Sequence, residues 1–167
     1  MDKNREPIPK LEGYNCFACG TTNPIGLNLN FYREGECVCS DITLDKNYEG
    51  WENMAHGGIV SALLDEVMSW TVIYFRRVFF VTRSIKIKYV RPVPLHEPLT
   101  AKGKMVESEN RHLCMAKGVI QDDDKNTLAR GEATFAILSD TALHLVRNRL
   151  KGDMNNLFKK LELNESR

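Results

Sequence analysis

The sequence has almost no excess charge of either sign. Lys and Arg total 23 against 22 Asp and Glu, a formal net charge of +1. Such a chain has no bulk attraction to nucleic acid or to an anionic membrane, so neither is expected as a partner; only local clusters of Lys and Arg could hold an anionic ligand. A clean apolar run is missing too. The longest apolar stretch follows Gly58 and is interrupted or bounded by Asp65, Glu66, Arg76 and Arg77, which argues against a membrane span. Met1-Asp2-Lys3-Asn4-Arg5-Glu6-Pro7 lacks the apolar core of a secretory signal, so a cytoplasmic protein is expected, with its five cysteines reduced. Internal repeats and low-complexity tracts are absent. What remains is an ordinary globular composition, 43% hydrophobic and 27% charged over 167 residues, enough for one sizeable core.

Pro7, Pro9, Gly13, Pro24 and Gly26 mark residues 1–26 as an irregular arm, which carries Cys16-Phe17-Ala18-Cys19-Gly20. Strands are predicted over 27–33 and 36–44, with Glu34-Gly35 as their turn. A loop over 45–55 leads to a helix over 56–75. The next strand alternates, with Ile85, Ile87 and Tyr89 on one face and Ser84, Lys86 and Lys88 on the other. Pro92, Pro94 and Pro98 end it. Three more strands are predicted over 99–107, 112–121 and 127–138, with Asp122-Asp123-Asp124-Lys125-Asn126 as the last turn. Loops this short cannot carry βαβ crossovers, so the sheet is antiparallel. The reading is an α+β domain over 27–139, six antiparallel strands curled around one long apolar helix. A helical tail over 140–167 carries Leu143, Val146, Leu150, Leu157 and Leu161 at roughly heptad spacing, with Gly152 as a break. Such a stripe is expected on its own domain or a sister subunit.

The chemistry gathers on the long helix. Its first turn, His56-Gly57-Gly58, exposes backbone N–H groups at the positive end of the macrodipole, and no side chains hinder a ligand oxygen there. About two turns later an apolar helix carries Asp65 and Glu66. A buried carboxylate is costly unless paired or used. Ser61, Asp65 and Ser69, spaced four apart, form one polar stripe, and Glu66 lies about 100° around from it. An oxyanion site followed by a carboxylate suits acyl transfer.

These segments resemble the hotdog-fold thioesterases, in the phenylacetic-acid-degradation and 4-hydroxybenzoyl-CoA thioesterase-like branch. The matching residues are Cys16-Phe17-Ala18-Cys19-Gly20 with Asn23-Pro24-Ile25-Gly26-Leu27, Tyr48-Glu49-Gly50-Trp51, and His56-Gly57-Gly58 through Leu64-Asp65-Glu66. The strand from Thr82 through Ile85-Lys86-Ile87-Lys88-Tyr89 to Arg91-Pro92-Val93, and the closing Gly131-Glu132-Ala133-Thr134-Phe135, match as well. The resemblance implies a helix wrapped by an antiparallel sheet, a dimer or dimer of dimers, and acyl-CoA bound at the subunit interface. It also implies that the Gly57 amide polarises the thioester carbonyl and that Asp65 acts from the partner's helix. Ser69 and Thr82 match hydroxyl residues of related enzymes. Gly58 and Asn53 join the substrate site. Relatives commonly have Gly-x-Pro-Gly before the His, where this chain has Gly50-Trp51-Glu52-Asn53; asparagine tolerates φ > 0, so the turn can survive at Asn53.

Other readings stand beside these. His56 either touches the acyl group or fixes the turn at the helix start. Glu66 is the second candidate acid. Lys86, Lys88 and Arg91 could hold the CoA phosphates or form a solvated strand face. Trp51, Met54, Met68 and Trp70 suit an acyl pocket or the core. Cys16 and Cys19 with Cys37 and Cys39 could supply four thiolates to zinc, but Cys37-Val38-Cys39 falls in a strand and not in a knuckle, so no metal is expected. No cofactor is expected beyond the coenzyme A of the substrate. The function expected is an acyl-CoA thioesterase, with a non-catalytic acyl-CoA-binding module on the same fold as the rival. A hydratase is disfavoured, because no loop pairs Asp with His.

Overall fold

The computed structural model describes residues 5–165. Seven strands form one antiparallel sheet: β1 (Glu6–Ile8), β2 (Phe31–Glu34), β3 (Cys37–Thr43), β4 (Phe80–Tyr89), β5 (Pro98–Val106), β6 (Leu113–Asp122) and β7 (Thr127–Ile137). Their order across the sheet is β1-β2-β3-β5-β6-β7-β4. Helix α1 (Gly57–Arg76) packs against β3, β4, β5, β6 and β7, so the sheet wraps it as expected. Two helices follow, α2 (Asp140–Leu143) and α3 (Asn148–Glu165).

The sheet has one strand more than the six expected. Glu6, Pro7 and Ile8 of the arm pair with Arg33, Tyr32 and Phe31. Three residues are too few to show alternation, and Pro7 is tolerated because β1 is an edge strand. Ion pairs fasten this edge: Arg5 to Asp41 at 2.7 Å and Arg33 to Glu6 at 3.3 Å. The strand predicted over 27–33 shrinks to β2 for a related reason. The Leu27 and Leu29 amides are spent on the arm, donating to Phe17 O at 2.8 Å and Ala18 O at 2.9 Å.

By length and composition alone α1 could cross a bilayer, which the sequence reading had discounted. In this fold it is the core helix. Leu63, Leu64, Val67 and Met68 are fully buried, each contributing roughly 1.5–3 kcal/mol of transfer free energy. The sheet makes room for it with a row of glycines. Gly103 of β5 lies opposite Gly118 of β6, which lies opposite Gly131 of β7. A Cβ at Gly103 would meet Thr71 Oγ1 and, at 2.8 Å, the Val67 carbonyl oxygen; one at Gly118 would meet Leu64 and Met68 side-chain carbons at 3.1 Å.

The tail packs on its own chain. Leu157 and Leu161 join the core, and Phe158 sits edge-on to Phe79 at 5.6 Å. Tyr14 of the arm donates to Asp153 at 2.7 Å. Gly152 does not break the helix. α3 runs through it, and the interruption falls at residues 144–147 instead. A glycine inside a helix costs about 1 kcal/mol, less than the burial of Leu157 and Leu161 returns.

Candidate active site

His56 caps α1. Its backbone is extended, with φ −60° and ψ 137°, and its Nδ1 accepts the Gly58 N–H at 2.9 Å. The ring therefore braces the turn by accepting from the Gly58 amide, which it occupies. The His56 carbonyl accepts the N–H groups of Ile59 at 2.9 Å and Val60 at 3.2 Å. Both bonds polarise the His56–Gly57 peptide and make its N–H a better donor. Among the described residues the Gly57 N–H has no acceptor. Tyr89, at the end of β4, closes over this turn. Its hydroxyl donates to Gly57 O at 3.0 Å and lies 2.8 Å from Ser61 Oγ, which itself donates to Gly57 O at 2.8 Å.

The turn opens on a pocket of about 500 Å³. Trp51, Met54, Val60 and Val93 give it apolar walls, and Arg91 adds a cation at its rim. Trp51 is 81% exposed, so its indole is a wall without backing. Met68 and Trp70 belong to the core; Trp70 stacks on Phe31 at 4.5 Å. Asn53 adopts φ 59°, the left-handed turn expected of it, and its carbonyl accepts from the Leu95 amide at 3.2 Å. It shapes the loop behind the pocket and does not line it.

Asp65 stands at a second station. Its Oδ1 accepts from Thr82 Oγ1 at 3.1 Å. Half-burial raises its pKa above the usual carboxylate range, and the Thr82 bond partly opposes that. Ser69 is half-buried one turn on and is not hydrogen-bonded to Asp65. Eight residues separate Gly57 from Asp65, a rise of about 12 Å along α1. One chain therefore holds the amide donor with Tyr89 and the acid with Thr82 apart.

Glu66 faces elsewhere. Trp70 Nε1 donates to its Oε1 at 3.0 Å, and Cys16 and Cys19 lie against it. Burial pushes its pKa up to about 7. The cationic candidates also divide. Arg91 lines the pocket by Gly57, whereas Lys86 and Lys88 line a separate groove with Lys117 and Arg130. Sequence reasoning missed Tyr89 and Ser61 as site residues. Ser61 was visible in the polar stripe, but the Tyr89 contact depends on how β4 returns along α1.

Residues 52–127 match the family model of the thioesterase superfamily. No curated protein matches the chain. Among solved structures, a thioesterase superfamily protein is 26% identical with a TM-score of 0.64, over 68% of this chain and 56% of its own. This chain thus spans little more than half of that relative's length. A hypothetical thioesterase protein from Streptococcus pneumoniae TIGR4, solved with coenzyme A, is 21% identical over 67% of this chain and 90% of its own, with a TM-score of 0.60. The E. coli PaaI protein from the phenylacetic acid degradation operon is 15% identical over 68% and 81%, with a TM-score of 0.61. The last two speak for the fold, a hotdog.

Proposed function

Residues 52–127 match the thioesterase superfamily model, and from that premise we propose that the chain is a thioesterase that hydrolyses an acyl-CoA thioester to free acid and CoA. The observation that carries the reading is the Gly57 N–H, without an acceptor among the described residues, at a helix start that opens on an apolar pocket. The thioester oxygen sits on that amide, where the charge developing on it is stabilised by a donor already in place. The acyl group lies along Trp51, Met54 and Val93, and Arg91 faces the CoA phosphates, with Lys86 and Lys88 further out. Asp65 attacks the carbonyl or activates water, oriented by Thr82, with Ser69 as a further hydroxyl. His56 holds the loop. The reaction needs no metal or other cofactor.

The acid comes from a second copy of the chain. Among the described residues β4 is paired on one side only, with β7, and leaves ten residues of edge open. Val81, Ile85, Tyr89 and Val90 are 53%, 37%, 53% and 44% exposed along or just after it. A long apolar edge is normally paired or covered. A twofold pairing centred between Ile85 and Lys86 sets Thr82 of one copy opposite Tyr89 of the other, because both positions are equally far from the centre. Asp65, bonded to Thr82, then meets the Gly57 turn beneath the other copy's Tyr89.

A panel of acyl-CoA thioesters assayed for free thiol tests the proposal. Release with at least one acyl group, lost in Asp65→Asn, supports it. Binding of acyl-CoA without any thiol release makes the protein an acyl-CoA-binding module.

A further inference from the structure

The knuckle Cys16-Phe17-Ala18-Cys19-Gly20 folds back onto α1 at Glu66. Gly20 N donates to Cys16 O at 3.0 Å and closes the turn. A Cβ at residue 20 would fall 2.5 Å from the Cys16 backbone N and O, so only glycine fits. The amides of Leu27 and Leu29 fasten Phe17 and Ala18 from the other side. The result is a rigid presentation of two thiols toward one partly buried acid. Sγ of Cys16, Sγ of Cys19 and a carboxylate oxygen of Glu66 lie within 4.8 Å of one another. Tetrahedral zinc, with Zn–S of about 2.3 Å, spaces its ligand atoms roughly 3.5–4 Å apart. Side-chain movements of about 1 Å complete that set. Trp70 Nε1–H already orients the carboxylate, as the outer partners of metal ligands do.

We propose that Cys16, Cys19 and Glu66 bind one Zn²⁺ that staples the N-terminal arm to α1 beside Asp65. Two sulfur donors select zinc over magnesium or calcium. The exposed side of Cys16 leaves the fourth position to water. The sequence reading looked for the missing ligands in Cys37 and Cys39, but these lie on β3 and take no part in the cluster. Glu66 takes their place. The metal joins the arm to α1 and enters no step of thioester hydrolysis.

Cobalt(II) titration of the full chain under reducing conditions tests this, with zinc content measured on protein purified without chelators. One equivalent of cobalt should give thiolate-to-cobalt charge-transfer bands and intense tetrahedral d–d bands, which zinc abolishes. Both should vanish in Cys16→Ser and Cys19→Ser, weaken about tenfold or more in affinity in Glu66→Gln, and persist in Cys37→Ser. Far-UV circular dichroism confirms that each variant folds, and the wild-type titration decides the matter if one does not. No charge-transfer band in wild type, or full affinity in folded Glu66→Gln, overturns the site. Asp65→Asn should keep full cobalt binding, so this inference and the thioesterase reading fail separately.

Discussion

On one side of α1, Asp65 faces β4, accepts one hydrogen bond from Thr82 and stays half-exposed at an open sheet edge. One residue further on, Glu66 faces the N-terminal arm, where an indole and two thiols enclose it. Burial raises the pKa of both, Glu66 to about 7. Glu66 is thus close to the operating range that suits a general base, yet Trp70, Cys16 and Cys19 lie against its carboxylate. Perturbed acids gather at functional sites, but the two sides of this helix separate perturbation from access. A catalytic acid must also lie where a thioester can approach.

The largest effect should come from exchanging the two acids' charges one at a time. Asp65→Asn should lower thiol release by roughly 10²–10⁴ while acyl-CoA binding, measured by calorimetry, stays within a few fold. Glu66→Gln should cost less than about tenfold in the same assay. A reversed order would mean that the enclosed acid, and not the accessible one, does the chemistry.

The open side can also be broken from outside. Ile85→Asp puts a charge at the centre of the β4 edge. Sedimentation should show the proposed dimer dissociating, and activity should fall with it. Mixed heterodimers of Asp65→Asn with Gly57→Val should recover activity that neither homodimer has, because one site remains intact. An active monomer would sink the shared site.

The closed side should answer more mildly. Trp70→Phe keeps the ring against Phe31 and removes the donor to Glu66. Denaturant unfolding should show a loss of roughly 1–3 kcal/mol, the cost of leaving a buried polar group short of a partner. Gly152→Ala, at an exposed position of α3 with nothing within 4 Å of the new methyl, touches neither acid. It should stabilise the fold by about 0.5–1 kcal/mol and leave turnover as it is.

How much of this could be read from sequence follows the range of each interaction. The periodic strands and α1 carry their signal locally, and so does the turn at Asn53, where asparagine's tolerance of positive φ was enough. The Ser61–Asp65–Ser69 stripe pointed to Asp65 without any fold. The partners of Glu66 stayed hidden because Cys16 and Cys19 meet it only through tertiary packing of the arm. β1 was hidden by its length, and the helix through Gly152 by core contacts that override a poor helix former. The split between Gly57 and Asp65 was implied by the family resemblance, and the rise along α1 gives it a physical reason.

The glycine row beneath α1 sets which substitutions the chain can negotiate with itself. At Gly118 the neighbours are Leu64 Cδ2 and Met68 Cγ and Sδ. A methyl there can be offset by trimming one of those side chains, so the three positions should vary together, and Gly118→Ala with Leu64→Val, which removes the contacting Cδ2, should couple favourably in a double-mutant cycle. At Gly103 the obstacle includes the backbone of Val67, which no substitution shortens. One glycine of the row is open to compensation, and the next is not.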